Sequence, residues 1–318
     1  NMELYTAPRY SIKCGLMRKW LYSICFMLLV ACMASCNDTT VRHQPNAADS
    51  CAILQPLFSL KPAAKEWEWK AVHPGEVHVP VKAYIAGHPP RANGQRQKLY
   101  TVKLGSFDST GNSIYLKVTQ YLAAFYQIEV DTLPTIALNT IKDMPSRQND
   151  FGLQLNSLYI LDSVLYPAKP ADAFALIAFS LYDLYPDDKW NYVFGQATLN
   201  KGTGVWSMAR LGDYSENAAG YKQVLYRTMK VAAHETGHML GITHCVKYQC
   251  TMNGSNSLQE SDGQPEWLCW ECLAKVCWNR NITAARHLKS LYAFHLRYTQ
   301  DADCIQHYGK ALTLLNPK

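Results

Sequence analysis

Three histidines, a glutamate, two cysteines and two methionines fall within the stretch AAHETGHMLGITHCVKYQCTM, from Ala232 to Met252. His234 and His238 stand four apart at the end of YKQVLYRTMKVAAHETGHML, whose apolar spacing predicts a long helix. Four residues is about one helical turn, so both imidazoles share a face and can reach one ion. Glu235, beside the first histidine, is then placed to accept a proton from a water that the ion has acidified. An HExxH pentapeptide can also arise with its histidines merely capping or packing. Two further residues narrow that choice. Gly241 follows His238 by three residues, where a glycine can take the positive φ that ends and reverses a helix. His244 follows by three more, giving three neutral imidazoles and an open fourth position for water.

The completed string HETGHMLGITH resembles the HExxHxxGxxH of the metzincin metallopeptidases. The resemblance implies that His234, His238 and His244 hold a catalytic zinc, that Glu235 is the general base, and that Met252 in CTMNGS forms the methionine turn beneath the metal. An ordinary core methionine is the other reading of Met252. The cysteines sharpen the likeness. Cys245 directly follows the third histidine, Cys250 comes after four intervening residues, and Cys269 and Cys272 form a CxxC in EWLCWECLAK. Together with the histidines this is similar to the archaemetzincins, over roughly Tyr100 to Asn279. By that resemblance Cys245, Cys250, Cys269 and Cys272 hold a second, structural zinc, making two zinc ions per chain. Neighbouring side chains of an extended segment point to opposite sides, so His244 and Cys245 can serve different ions. Disulfides between Cys245 and Cys250 and between Cys269 and Cys272 stay open as an alternative, because an exported chain meets an oxidising compartment. Cys51, Cys277 and Cys304 read as buried small hydrophobes. Cys51 has a sharper alternative, capping the catalytic metal as a latency switch.

These residues need a scaffold. The 318 residues, 48% hydrophobic and 18% charged, suffice for a substantial core. From Lys98 onward the pattern alternates. KLYTVKLGSF reads as a strand, SIYLKVTQYLAAFYQ as a helix, IEVDTL as a strand, LNSLYILDSVLY as a helix, ALIAFSLYDLY as a buried strand, and NYVFGQAT and GVWSMARL as two more. Alternating strands and helices imply right-handed crossovers and a mostly parallel sheet. The expected fold is therefore α/β: a three-layer metzincin-like domain over residues 98–318, with a twisted sheet, a long zinc-binding helix and a small C-terminal helical subdomain at NITAARHLKSLYAFHLRYT. Residues 37–97 read as tether and N-terminal wrapping segment. WNYVFGQATLNKGTG suits an edge strand along which a peptide substrate could lie extended, or equally a solvent-facing hairpin.

The net charge of +6 is concentrated early: Arg9, Lys13, Arg18 and Lys19 against Glu3 leave 27 basic and 24 acidic residues from Cys36 on. Nothing in that balance argues for nucleic acid. Residues 17–36 have the grammar of an export signal: a basic start at Met17, the apolar run LYSICFMLLVACMAS, then polar sequence. The run is short for a membrane-spanning helix, although an uncleaved signal anchor is an alternative. MASC resembles a bacterial lipobox, which makes Cys36 the expected lipidated residue, with Cys32 of LVAC the competing choice. Residues 1–16, upstream of Met17, are read as a misassigned start or an artificial leader. The expected protein is a lipid-anchored, zinc-dependent peptide-bond hydrolase of the bacterial cell envelope, acting on peptide or protein substrates. A non-catalytic metal- or peptide-binding envelope lipoprotein on the same scaffold is the alternative, and the retained Glu235 argues against it, since a binding site needs no general base.

Overall fold

The computed structural model describes residues 47–92, 94–198 and 201–316. The expected lipidation sites Cys36 and Cys32, and residues 1–36 as a whole, lie outside the described residues.

Three short helices come first: α1 (Ala47–Ala52), α2 (Trp69–Val72) and α3 (Val81–Ala86). Strand β1 (Lys98–Leu104) leads into α4 (Ser109–Tyr126), whose Asp108 cap accepts from the Gly111 N–H at 2.6 Å. After β2 (Val130–Thr132) comes a hairpin of β3 (Ser146–Asn149) and β4 (Gly152–Asn156) that the hydrophobic pattern had not marked, because its residues are mostly polar. The expected helix at LNSLYILDSVLY exists as α5, but it is wound in three pieces, Ser157–Tyr159, a π-helical Ile160–Leu165, and Tyr166–Ala168.

ALIAFSLYDLY is not one strand. It breaks at Leu181 and Tyr182 into β5 (Ala173–Ser180) and β6 (Asp183–Tyr185), which belong to different sheets. The Ser180 hydroxyl accepts the Tyr182 N–H at 3.1 Å and Ser207 donates to the Tyr182 carbonyl at 2.8 Å, satisfying backbone groups that leave the ladder at the break. Strands β7 (Gly195–Thr198) and β8 (Thr203–Ser207) complete the main sheet, in the order β2-β1-β5-β8-β7. All its pairings are parallel except the antiparallel edge pair β7–β8. The second sheet has the order β3-β4-β6.

Period-two alternation assigns the two faces of the main sheet. Ala175, Ile177 and Phe179 of β5 join a core with Ile114, Leu122 and Phe125 of α4 and with Val224, Met229 and Ala233 of the next helix, while Leu176 and Ala178 join a second core with Ile160, Leu161 and Leu165 of α5. The sheet is covered on both sides, which makes three layers. The long helix is α6 (Ala218–Met239), capped by Asn217, whose side chain accepts from the N–H groups of Ala219 and Gly220 at 2.9 Å each. Helices α7 (Leu258–Asp262), α8 (Trp270–Arg280), α9 (Ala284–Phe294) with its π-helical extension His295–Thr299, and α10 (Ala302–Leu315) follow. Leu291, Phe294, Tyr308 and Ala311 pack the C-terminal helices into the first core. Residues 50–92 enter the same core through Cys51, Leu54, Val81 and Tyr84, so the wrapping segment is continuous with the layers that it covers. No helix among the described residues is long and apolar enough to cross a membrane.

Candidate metal centres and active site

The end of α6 is a closing turn with a chemical purpose. Gly241 takes φ +75°, its N–H bonds the His238 carbonyl at 2.8 Å, and the Ile242 N–H bonds the Gly237 carbonyl at 3.0 Å. This terminator swings the Ile242 carbonyl back over the helix end, where it accepts from Nδ1 of His238 at 2.7 Å. The Thr251 carbonyl accepts from Nδ1 of His234 at 2.9 Å, and the Glu76 carboxylate accepts from Nδ1 of His244 at 2.6 Å. A carbonyl cannot donate, so the tautomers of His234 and His238 follow: the proton is on Nδ1 and Nε2 carries a lone pair. The three side chains converge, with ligand atoms within 4.8 Å of one another.

The fit to a metal ion can be tested on this arrangement. Nε2 of His234 and Nε2 of His238 lie 3.0 Å apart with no hydrogen left to place between them. Two facing lone pairs at that distance repel unless a cation sits between, and a separation near 3.3 Å is what two tetrahedral ligands at about 2.0–2.1 Å from zinc require. Burial depresses the basicity of His234 and His244, which favours the neutral, ligating form. The donor set fits zinc.

Glu235 lines the same cleft, of about 400 Å³, together with Trp69, Tyr192, Phe194 and Gly195. Burial pushes its carboxyl above the usual range, as suits a group that must accept a proton and give it back. Met252 lies under the site. It is fully buried, and a Cβ placed on Gly237 would meet its sulfur at 2.5 Å, so the thioether rests directly on the helix backbone one residue before His238. Glycine at position 237 is what lets the methionine approach. Strand β7 is the edge of the main sheet, and the chain entering it, from Trp190 to Gly195, forms one wall of the cleft. β7 and β8 thus form a hairpin whose outer strand is the sheet edge.

Cys245, Cys250, Cys269 and Cys272 gather on the other side of the same loop, fully or almost fully buried, with their four sulfurs within 4.8 Å of one another. The Cys245 and Cys269 sulfurs are 3.8 Å apart. That is far from the roughly 2.05 Å of a disulfide and matches the edge of a tetrahedron of sulfurs about 2.3 Å from a central zinc. Backbone N–H groups of Met252 and Cys269 point at the Cys250 sulfur at 3.4 and 3.2 Å, and the Cys272 N–H at the Cys269 sulfur at 3.5 Å, donors that favour thiolate over thiol. The neighbouring thiols hold the Cys245 sulfur far below the ordinary thiol range, while burial raises the Cys250 thiol and the other three sulfurs raise that of Cys272, so the four share their protons as one cluster. Four buried sulfurs converging at tetrahedral spacing without a disulfide fit a closed zinc site.

Some residues that build the centres carried no signal in the sequence. Glu76 and Trp69 come from the wrapping segment; Trp69 meets the His244 ring edge-on at 4.9 Å. Asn253 closes the loop between the two centres, accepting the Cys250 N–H at 3.0 Å and donating to the carbonyls of Cys245 and Tyr248. Each is a single polar or aromatic residue whose partner is decided by packing. Cys51 does not approach the histidines. It is buried in the first core beside Cys277 of α8, so it cannot act as a latency cap in this conformation.

Three imidazoles and a carboxylate thus gather on and just after a helix that backs an α/β sheet. This chain matches the sequence profile of peptidase family M54 over residues 171–277. It is 34% identical over 212 residues to archaemetzincin-2 of Pongo abelii, covering 57% of this chain and 59% of that protein. Over 203 residues it is 32% identical to archaemetzincin-1 of Mus musculus, covering 54% of this chain and 40% of that one. The chain thus spans about three-fifths or less of these curated relatives. Among solved structures, an archaemetzincin from Methanopyrus kandleri aligns with a TM-score of 0.46 and 24% identity, over 59% of this chain and 98% of the other. A zinc-dependent peptidase from Methanocorpusculum labreanum aligns with a TM-score of 0.45 and 22% identity, over 56% and 99%.

Proposed function

We propose that the chain is a zinc-dependent peptidase with two zinc ions, one catalytic at His234, His238 and His244 and one structural at the four cysteines. The observation that carries the reading is the commitment of every Nδ1 at the first centre to an acceptor, which leaves three neutral imidazoles converging on one point. When bound there, zinc supplies Lewis acidity, which lowers the pKa of a neighbouring water and polarises a scissile carbonyl. Glu235 takes the proton from the attacking water and returns it to the leaving amine. The free edge of β7 offers backbone groups to an extended peptide, and Tyr192 and Phe194 offer apolar contact beside it. The four-cysteine site pins the loop that carries His244 at one end and Met252 at the other.

The test is a pair of variants assayed on a peptide library with free and blocked amino ends. Glu235→Gln should keep zinc and fold while hydrolysis falls by about 100-fold to 10,000-fold, the usual share of a positioned general base. His238→Ala should lose both the catalytic zinc and activity. Cleavage untouched by Glu235→Gln would sink the mechanism. Saturable peptide binding by metallated wild type without cleavage would favour the non-catalytic binding protein.

We also propose that the chain is held at the bacterial cell envelope by lipid on Cys36. The support is the basic start at Met17, the short apolar run and MASC. Cys36→Ser should release the protein from membranes with its soluble activity intact. Loss of lipid labelling in Cys32→Ser instead would move the anchor to Cys32.

A further inference from the structure

A third group of metal-type ligands lies outside both centres. A carboxylate oxygen of Glu266, a ring nitrogen of His295 and the sulfur of Cys304 all fall within 4.8 Å of one another. Glu266 stands in the connection between α7 and α8, His295 begins the extension of α9, and Cys304 is in the first turn of α10, its N–H held by Asp301 at 2.8 Å. His295 is fully buried. Its Nδ1 lies 2.9 Å from the Thr299 hydroxyl, which also stands 3.4 Å from the His295 carbonyl. With Nδ1–H donating to that hydroxyl, Nε2 carries the lone pair. That Nε2 is buried and has no hydrogen-bond partner. A buried polar atom without a partner calls for an explanation. The Tyr308 hydroxyl, on a ring stacked 5.6 Å from the His295 ring, is buried without a partner too.

We infer that Glu266, His295 and Cys304 hold a third metal ion, a divalent cation of the zinc class, distinct from both the histidine and the four-cysteine centres. Imidazole, thiolate and carboxylate together are a zinc donor set, with a fourth position left for water. On binding, the Cys304 thiol and the Glu266 carboxyl give any proton they carry to solvent, so the ion meets two anionic ligands and one neutral one. Charged groups surround the three ligands. Asp301, paired with Lys222 at 3.8 Å, adds a negative group, and Lys230, whose ammonium donates to the carbonyls of Ser261 and Gln264 at 2.8 Å each, adds a positive one. An ion here ties α9 and α10 to the connection that Lys230 already clamps to α6, one turn before His234. It would brace the back of the helix that presents the catalytic histidines.

The test reads a difference in metal content. The reduced full-length protein is stripped with chelator and refilled with zinc; wild type, Cys304→Ser and Glu266→Gln are then compared by elemental analysis with circular dichroism alongside. Each variant should hold one zinc fewer per chain than wild type. Because the difference is read rather than the total, a failure of either proposed centre lowers all three proteins alike and leaves this result interpretable. Equal zinc in wild type and a natively folded variant overturns the inference. Should both variants misfold, zinc-edge anomalous scattering from wild-type crystals grown with excess zinc decides: a peak bounded by Glu266, His295 and Cys304 supports the site, and none there overturns it.

Discussion

Glu76 accepts a 2.6 Å hydrogen bond from Nδ1 of His244, across 168 residues of chain. The third histidine is thus held by the wrapping segment and by no residue of its own loop. The negative charge of the carboxylate also raises the basicity of the opposite ring nitrogen, the one that would meet the metal.

Glu76→Ala should therefore weaken zinc at the histidine centre by about 10-fold to 100-fold while leaving the four-cysteine zinc in place. Glu76→Gln, which can still accept the hydrogen bond, should lose less. Competition with a graded series of chelators measures both, and equal affinity in wild type and Glu76→Ala would refute the role.

Gly237→Ala places a methyl group 2.5 Å from the Met252 sulfur. Overpacking of this kind costs about 1–3 kcal/mol, read from urea unfolding. Placed on a Met252→Ala background, which removes the obstructing thioether, the same change should cost clearly less. Equal cost on both backgrounds would mean that the methionine does not rest on the helix as described.

The four cysteines should resist alkylation in the folded, zinc-loaded protein and become reactive after chelation. Cys269→Ser should lose the structural zinc and fold less stably, since the loop from Cys245 to Met252 loses its anchor. A finding that none of the four alkylates after chelation, until a reductant is added, would replace the zinc by disulfides.

Stability should fall with acid partly through His287. Burial lowers this ring to about 4 from an unfolded value near 6.5. Between those values the unfolded chain binds the proton and the folded one does not, so stability is fully present above pH 6.5 and drains away as pH falls toward 4. The loss from this one group is of the order of 3 kcal/mol, at about 1.4 kcal/mol per unit. His287→Gln cannot titrate and should flatten that part of a stability-against-pH curve measured by urea unfolding.

Much of the chemistry could be read from the chain itself, for a physical reason. His234, Glu235 and His238 lie within a turn of one helix, so their mutual placement follows from helical geometry. Gly241 is needed because the terminator requires a positive φ, and CxxC is similarly local, with Cys269 capping the helix that carries Cys272. Alternation along β5 likewise carries the layering, since the two faces of a strand must meet two cores.

What the sequence could not determine is set by contacts between distant segments. The second-sheet hairpin from Ser146 to Asn156 is polar and short, so it leaves no periodic trace, and the break after Ser180 depends on hydrogen bonds from Ser207. Glu76 on His244, Asn253 across the loop between the centres, Cys51 against Cys277 and the meeting of Glu266, His295 and Cys304 each join residues whose neighbours in the chain say nothing of their partners. Such pairings depend on packed layers bringing the residues within about 3–5 Å, a distance at which hydrogen bonds and metal ligation become possible and which only the tertiary structure supplies.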